Sequence, residues 1–252
     1  MRLRYEYRTS VGFRPSVGRH SILLRCLPAC EEFQQPVRQE FVLSDGFWHR
    51  EGRDGLGNRI LTCGTLERHD RLEYVSRGEV ETTTYCIPDA LPHPMYRLPS
   101  PLTIPTREML TLLPRPTGRV LEDCLALTHQ VHRHMVYTPG ATHMQTRAED
   151  AYRLRQGVCQ DYAHLMLALC RSVGYPSRYV CGLMAGEGAT HAWVEVHDGQ
   201  CWYAFDPTND TAIASGYIKL AHGRDAADCP VSRGVYVGAS QEETRVFVCV
   251  ER

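Results

Sequence analysis

Three short runs decide how this chain is read: Gly157-Val158-Cys159-Gln160-Asp161-Tyr162, then Thr190-His191-Ala192-Trp193-Val194-Glu195, then Phe205-Asp206-Pro207-Thr208-Asn209. They bring a thiol, an imidazole and a carboxylate in that order. Gly157-Val158 breaks the preceding element, and Cys159 to about Val173 reads as a helix ended by Gly174-Tyr175-Pro176. Ala163, Met166, Leu167 and Cys170 continue the face that Cys159 begins. Cys159 then lies in the first turn, where unpaired N–H groups and the helix dipole favour a thiolate.

The partners fall on two strands. Ala192, Val194 and Val196 alternate with His191, Trp193 and Glu195, and Cys201 to Asp206 forms a second run. Asp198-Gly199 between them signals a two-residue hairpin turn, pairing His197 with Gln200. Carried outward, that register sets His191 opposite Asp206 and Trp193 opposite Ala204, all on one face. Directly opposed Cβ atoms lie about 4.5–5.5 Å apart, within reach of an imidazole–carboxylate bond. The large–small pair leaves room for the indole beside the site. His197, beside the turn, is expected to be exposed and without such a partner. The arrangement suits thiolate chemistry, with Cys159 as nucleophile, His191 as proton shuttle and Asp206 fixing its tautomer. The Cys159 N–H is a natural oxyanion donor.

Upstream of the cysteine, Val120, Cys124, Leu127, Val131 and Met135 make one apolar stripe of a helix over residues 119–136. His132 and His134 fall off it, toward solvent. A short helix from Arg147 to Leu154 has Thr146 and Glu149 as a capping box. Residues 87–118, with eight prolines between Pro88 and Pro116, read as an extended linker. Residues 1–86 read as antiparallel strands, with a turn at Asp54-Gly55-Leu56-Gly57-Asn58. The expected division is a β-sandwich over 1–86, a linker over 87–118 and a catalytic domain over 119–252.

Composition narrows the class. At 252 residues, with 43% hydrophobic and 23% charged residues, the chain is that of an ordinary globular protein. A formal charge of −1 argues against nucleic acid or an anionic membrane as partner. The Met1–Tyr7 start lacks a signal-peptide core, so the expected location is cytoplasmic. The 11 cysteines form no C-x-x-C pair, so neither a disulfide framework nor a zinc site is signalled. His129, His132 and His134 lack a second cluster at ligand spacing, and no metal site is expected.

Gly157 to Leu165 resembles the nucleophile motif of bacterial transglutaminase-like proteins. Gly174-Tyr175-Pro176-Ser177-Arg178-Tyr179, the runs around His191 and Asp206, His222 to Asp228, and Gly234 to Gly238 are similar to segments of the same family, and Asp54, Gly57 and Asn58 fit a turn of its N-terminal domain. The resemblance implies an α+β fold, an antiparallel β-sandwich followed by a papain-like core with the cysteine's helix packed on an antiparallel sheet. It implies Cys159, His191 and Asp206 as a catalytic triad. Asp161, Arg224 and Asp225 align with recurring family positions as supporting residues, and Tyr137 and Trp193 are expected to border the pocket. Leu183-Met184 departs from the family's aromatic after Gly182. No calcium-loop pattern is present, so neither a metal nor another cofactor is expected. The expected activity is a cysteine hydrolase or acyl transferase acting on peptide or amide bonds through a thioester. A catalytically silent binding protein of the same fold is the alternative of a different class. An arylamine acyltransferase is disfavoured because no paired glycine precedes Cys159.

Overall fold

A computed structural model describes residues 1–239 and 241–252. Strands dominate its first third: β1 (Arg2–Leu24), β2 (Gln34–Leu43), β3 (Trp48–Arg53), β4 (Arg59–Thr65) and β5 (His69–Thr82). A two-residue strand, β6 (Ile87–Pro88), opens the proline-rich stretch. Then come α1 (Val120–His134), β7 (Val136–Tyr137), α2 (Ala148–Leu154), β8 (Gln156–Gly157) and α3 (Cys159–Ser172). The remainder is β9 (Ser177–Met184), β10 (Gly186–Gly188), β11 (His191–His197), β12 (Cys201–Asp206), β13 (Thr211–Ala212), β14 (Tyr217–Gly223), β15 (Ser232–Val237) and β16 (Gln241–Glu251).

The long first strand serves two partners on each half. Residues Arg4–Arg14 of β1 pair with β16, and this half also pairs with β5, while His20–Leu24 pair with β4 on one side and β15 on the other. The alternation of Leu3, Tyr5 and Tyr7, all buried, with the exposed Arg2 and Arg4 puts one face of this half on a core.

The last strands, β15 and β16, therefore complete the N-terminal sheet. Leu183, Ile218 and Leu220, from β9 and β14, are buried in one cluster with Leu3, Tyr5, Val80 and Val248. The predicted turn at Asp54–Asn58 is a strut between the two parts. Asp54 Oδ1 accepts from the N–H groups of Leu56 and Asn58, and Gly57 takes a φ of +85°. Asn58 then clamps His222 of β14, its amide donating to the His222 carbonyl at 2.8 Å and accepting from the His222 N–H at 2.9 Å.

The second sheet runs β13-β12-β11-β9-β14, with β6 added beside β12, all antiparallel. The linker is thus partly a strand of this second sheet, and Met109 further along it is fully buried against α1 and α3. Ala192, Val194 and Val196 point from β11 into that same core, which includes Cys124, Leu127, Val131, Met166 and Leu167. Residues 161–171 of α3 are buried on every side, as a central helix requires. Its end is a Schellman turn: Gly174, at φ +83°, donates to Arg171 O, and Tyr175 N–H reaches Cys170 O.

Helix α2 starts one residue later than the capping-box reading placed it. Arg147 is the cap and makes no side-chain bond, while Thr146 Oγ1 accepts from His143 N–H in the preceding loop. The histidines of α1 are also less solvated than predicted. His134 stacks on Tyr152 and bonds its carbonyl, His132 Nδ1 donates to carbonyls of Pro207 and Thr208, and His129 pairs with Asp210. Helix α1 is in this way tied to the loop that follows Asp206.

Candidate active site

Cys159 is the first residue of α3, and the approach to it is set by Asp161. That carboxylate reaches back to accept from Val158 N–H at 2.8 Å and from Thr142 Oγ1 at 2.6 Å. It occupies the N3 position, where an acidic side chain satisfies a free helix-start N–H. Burial pushes the Asp161 carboxyl up from its ordinary value, against the opposing pull of those two bonds. Glycine is needed at 157 because a Cβ there would sit 2.5 Å from Asp161 Oδ2. Asp161 accordingly shapes the turn that presents Cys159, its Oδ2 engaged by Val158 N–H and the Thr142 hydroxyl.

The hairpin carrying the other two residues has a different turn from the predicted one. Asp198 N–H bonds Cys201 O, so the two loop residues are Gly199 and Gln200, with Gly199 at φ +113°. Asp198 Oδ1 accepts from both Gln200 and Cys201 N–H groups, an Asx arrangement that selects this turn over Asp-Gly. The observed pairs are His197–Trp202, Val196–Tyr203, Glu195–Ala204 and Val194–Phe205. Relative to the expectation the strand slips by two residues. Trp193, not His191, is level with Asp206, and Glu195, not Trp193, faces Ala204. An even slip preserves the side-chain face. His191 and Asp206 therefore remain on one face as diagonal neighbours, and Nε2 donates to Asp206 Oδ2 at 2.7 Å.

Asp206 is fully buried and has many donors. Tyr217 Oη donates to Oδ2 at 2.8 Å and Asn209 Nδ2 to the same oxygen at 2.7 Å. The N–H groups of Thr208 and Asn209 serve Oδ1. Burial alone would raise this carboxyl, but the His191 bond and charge, with Asn209 and Tyr217, hold it below its ordinary value. For His191 burial lowers the pKa, and the Asp206 bond, a Cys159 bond and both charges outweigh it, raising the imidazole to about 10. With Nε2 committed to Asp206, Nδ1 is the nitrogen left for Cys159. The structure thus brings together all three residues that sequence reasoning selected. Tyr217 and Asn209 were missed as partners of Asp206; Asn209 lay inside a quoted motif, whereas nothing local marks Tyr217.

The remaining expected site residues scatter. Tyr137 is half-exposed in β7, paired with Gly157 of β8, and burial and then the nearby Cys159 charge raise its phenol. Trp193 is fully buried and cannot line an open pocket. Its indole lies against Gly182, where a Cβ would collide with it, and Nε1 donates to Tyr85 Oη. Beneath it Glu195, also buried, is bonded by Arg178, Lys219 and Tyr85, a closed ion network that locks the sheet to the N-terminal part. Arg224 and Asp225 follow β14 and lie against the later turns of α3. Arg224 pairs with Asp228 and its carbonyl takes a bond from Arg171, about 18 Å of helix beyond Cys159. Asp225 caps Ala227 N–H, and Ala226 N–H bonds His164. Both therefore brace the helix. His197, expected to be exposed, is buried, with Nε2 donating to Asp89 O and Nδ1 accepting from Gly199 N–H. The partner of Nε2, Asp89, comes from the linker, which no local pattern could show.

Among the described residues no group of three or more His, Cys, Asp or Glu side chains gathers as a metal would require. No helix among them is long and apolar enough to cross a membrane.

Comparison with known proteins agrees with this geometry. Residues 113–207, which hold Cys159, His191 and Asp206, match the sequence model of the Transglutaminase-like superfamily. An uncharacterized protein of Mycobacterium leprae is 38% identical over 126 residues, covering 46% of this chain and 45% of its own. Another, from Mycobacterium bovis, is 34% identical over 153 residues, covering 54% and 48%. The chain thus spans about half the length of the curated relatives it matches. A crystal structure from Cytophaga hutchinsonii, described as that of a candidate cysteine protease, superposes with a TM-score of 0.80 at 23% identity. That match covers 99% of this chain and 90% of the other, so the two share their whole fold. The α+β architecture, a helix-borne cysteine against an antiparallel sheet, and the match over residues 113–207 make this chain similar to bacterial transglutaminase-like proteins in fold and in the segment that carries the three residues.

Proposed function

We propose that the chain is a cysteine hydrolase or acyl transferase acting on peptide or amide bonds, with Cys159, His191 and Asp206 as its triad. The observation that carries this reading is His191, held between the Cys159 thiol and the Asp206 carboxylate and raised by both.

The raised imidazole favours a thiolate–imidazolium pair. Cys159 Sγ adds to the acyl carbon of the substrate, and the negative oxygen that forms is met by the Cys159 N–H at the open helix start. The C–N bond breaks as His191 gives its proton to the departing amine, leaving a thioester. Water, or a second amine, then loses a proton to His191 as it attacks the thioester, and the thiolate leaves. Asp206 keeps Nε2 protonated and steadies the positive ring in each half. Whether water or an amine arrives decides between hydrolysis and transfer. No nucleic acid, membrane or cofactor enters the scheme. The 11 cysteines are all unpaired, which suits a reducing, cytoplasmic setting.

The test is to incubate the protein with an activated ester and a peptide-amide library and map covalent adducts by mass spectrometry. An acyl group on the peptide carrying Cys159, absent from Cys159→Ala, is the expected outcome. Turnover that survives in Cys159→Ala would overturn the reading.

A further inference from the structure

We infer that Tyr217 is a positioning residue of the triad, fixing the Asp206 carboxylate so that Oδ2 faces His191, and that the N-terminal β-structure serves the site by holding Tyr217 still. This rests on the triad reading proposed above.

The two oxygens of Asp206 are held differently. Oδ1 is bonded by the N–H groups of Thr208 and Asn209, two and three residues on, which move with the same turn. Those bonds allow the carboxylate to pivot about Oδ1. Oδ2 carries the catalytic contact, and its distant anchor is Tyr217 Oη at 2.8 Å, a bond spanning 11 residues between two strands. Asn209 Nδ2 also reaches Oδ2, but from the same local turn that supplies the Oδ1 donors, and its amide is shared with Met184 Sδ at 3.3 Å. Tyr217 is thus the donor that ties Oδ2 to an independent element.

That element is firmly mounted. Tyr217 packs edge-on against Trp193, with ring centroids 5.3 Å apart, inside a buried cluster with Phe33, Tyr85, Val180, Ala204 and Ile213. Phe33 and Tyr85 stack at 4.0 Å, and both belong to the N-terminal part. Two residues along β14, the side chain of Gln34 accepts from Lys219 N–H at 2.8 Å and donates to Lys219 O at 2.9 Å, mimicking a neighbouring strand. Residues of the N-terminal part therefore pack in one cluster with Tyr217 and hold its strand two residues further on.

Tyr217→Phe removes the hydroxyl and keeps the ring, so packing is preserved. The groups whose charge bears on His191 are Asp206 and Cys159. The probes are hydrolysis of p-nitrophenyl acetate and the titration of His191 followed by NMR on histidine-labelled protein, in wild type, Tyr217→Phe, Asp206→Asn and Cys159→Ala. The expected result for Tyr217→Phe is a kcat loss of roughly ten- to a hundredfold with KM little changed. Its His191 midpoint should fall below the wild-type value of about 10, between wild type and Asp206→Asn. A hydroxyl that served only to neutralise Asp206 would, once removed, leave that midpoint unchanged or higher. Either of those outcomes, a kcat within about twofold of wild type, or a Tyr217→Phe protein that does not fold overturns the inference. Ester hydrolysis that persists in Cys159→Ala instead marks failure of the underlying triad reading.

Discussion

His191 Nε2 and Asp206 Oδ2 lie 2.7 Å apart although the two residues do not face each other across their hairpin. Trp193 holds the level of Asp206, and the imidazole reaches diagonally along the same face. The bond survives because both side chains share one face of the hairpin and the carboxylate is fixed by Tyr217, Asn209 and the backbone of the following turn.

Asp206→Asn should keep the hairpin, since an amide can still bond Tyr217 and the backbone. It should lower turnover by roughly 10²–10⁴-fold, the usual reach of a general-base contribution. Steady-state kinetics on any substrate that acylates Cys159 provides the check, and a loss under about threefold would make Asp206 structural.

The pH profile follows from the same contact. His191 is raised to about 10 in the folded protein, so its positive form persists across neutral pH and is lost only as pH climbs toward that value. Its contribution to stability is accordingly complete below the unfolded value of about 6.5 and disappears as pH rises through about 10. Urea unfolding between those limits should show stability falling in wild type, with a flatter slope in Asp206→Asn. Asp206 works in reverse, adding stability above the ordinary carboxyl range and losing it in acid.

Iodoacetamide offers a direct reading of Cys159. Near neutral pH it should label this thiol well ahead of Cys30, the exposed cysteine, although Cys159 is the less accessible of the two. Mass spectrometry of partly alkylated protein resolves the order. Equal rates would argue against an activated thiolate.

Gly157→Ala is expected to destabilise by about 1–3 kcal/mol, because the new Cβ collides with the Asp161 carboxylate that caps α3. Since that cap sets the turn before Cys159, alkylation of the thiol should slow as well. Thermal unfolding and the iodoacetamide rate together test the link.

Asn58→Ala should cost about 2 kcal/mol by stranding the paired His222 N–H and carbonyl. The effect is read in the denaturation midpoint. A neutral result would mean that the strut between the two parts is dispensable.

Much of the catalytic core was legible from local pattern. Good helix formers after a Gly-Val break, and a Gly at the far end, placed α3 to within a residue. Alternation in β11 named the inward face. Less legible was anything that depends on a partner far along the chain. The turn at Gly199-Gln200 won over Asp198-Gly199 because the Asp198 side chain could cap two N–H groups, a contest that dipeptide preference does not capture. His197 was buried by Asp89, and Arg224 was drawn to the back of α3.

The amino-acid sequence by itself determined which groups are the candidates for chemistry, which elements bear them and which face of β11 and β12 two of them share. That last property withstood a two-residue slip because strand side chains repeat with a period of two. Tertiary structure decided what surrounds them. The return of β15 and β16 to the first sheet, the grip of Gln34 on β14 and the bond from Tyr217 to Asp206 all join segments remote in sequence. Such pairings are chosen by burying apolar faces and satisfying buried polar groups over the whole molecule, and local residue pattern holds no record of them.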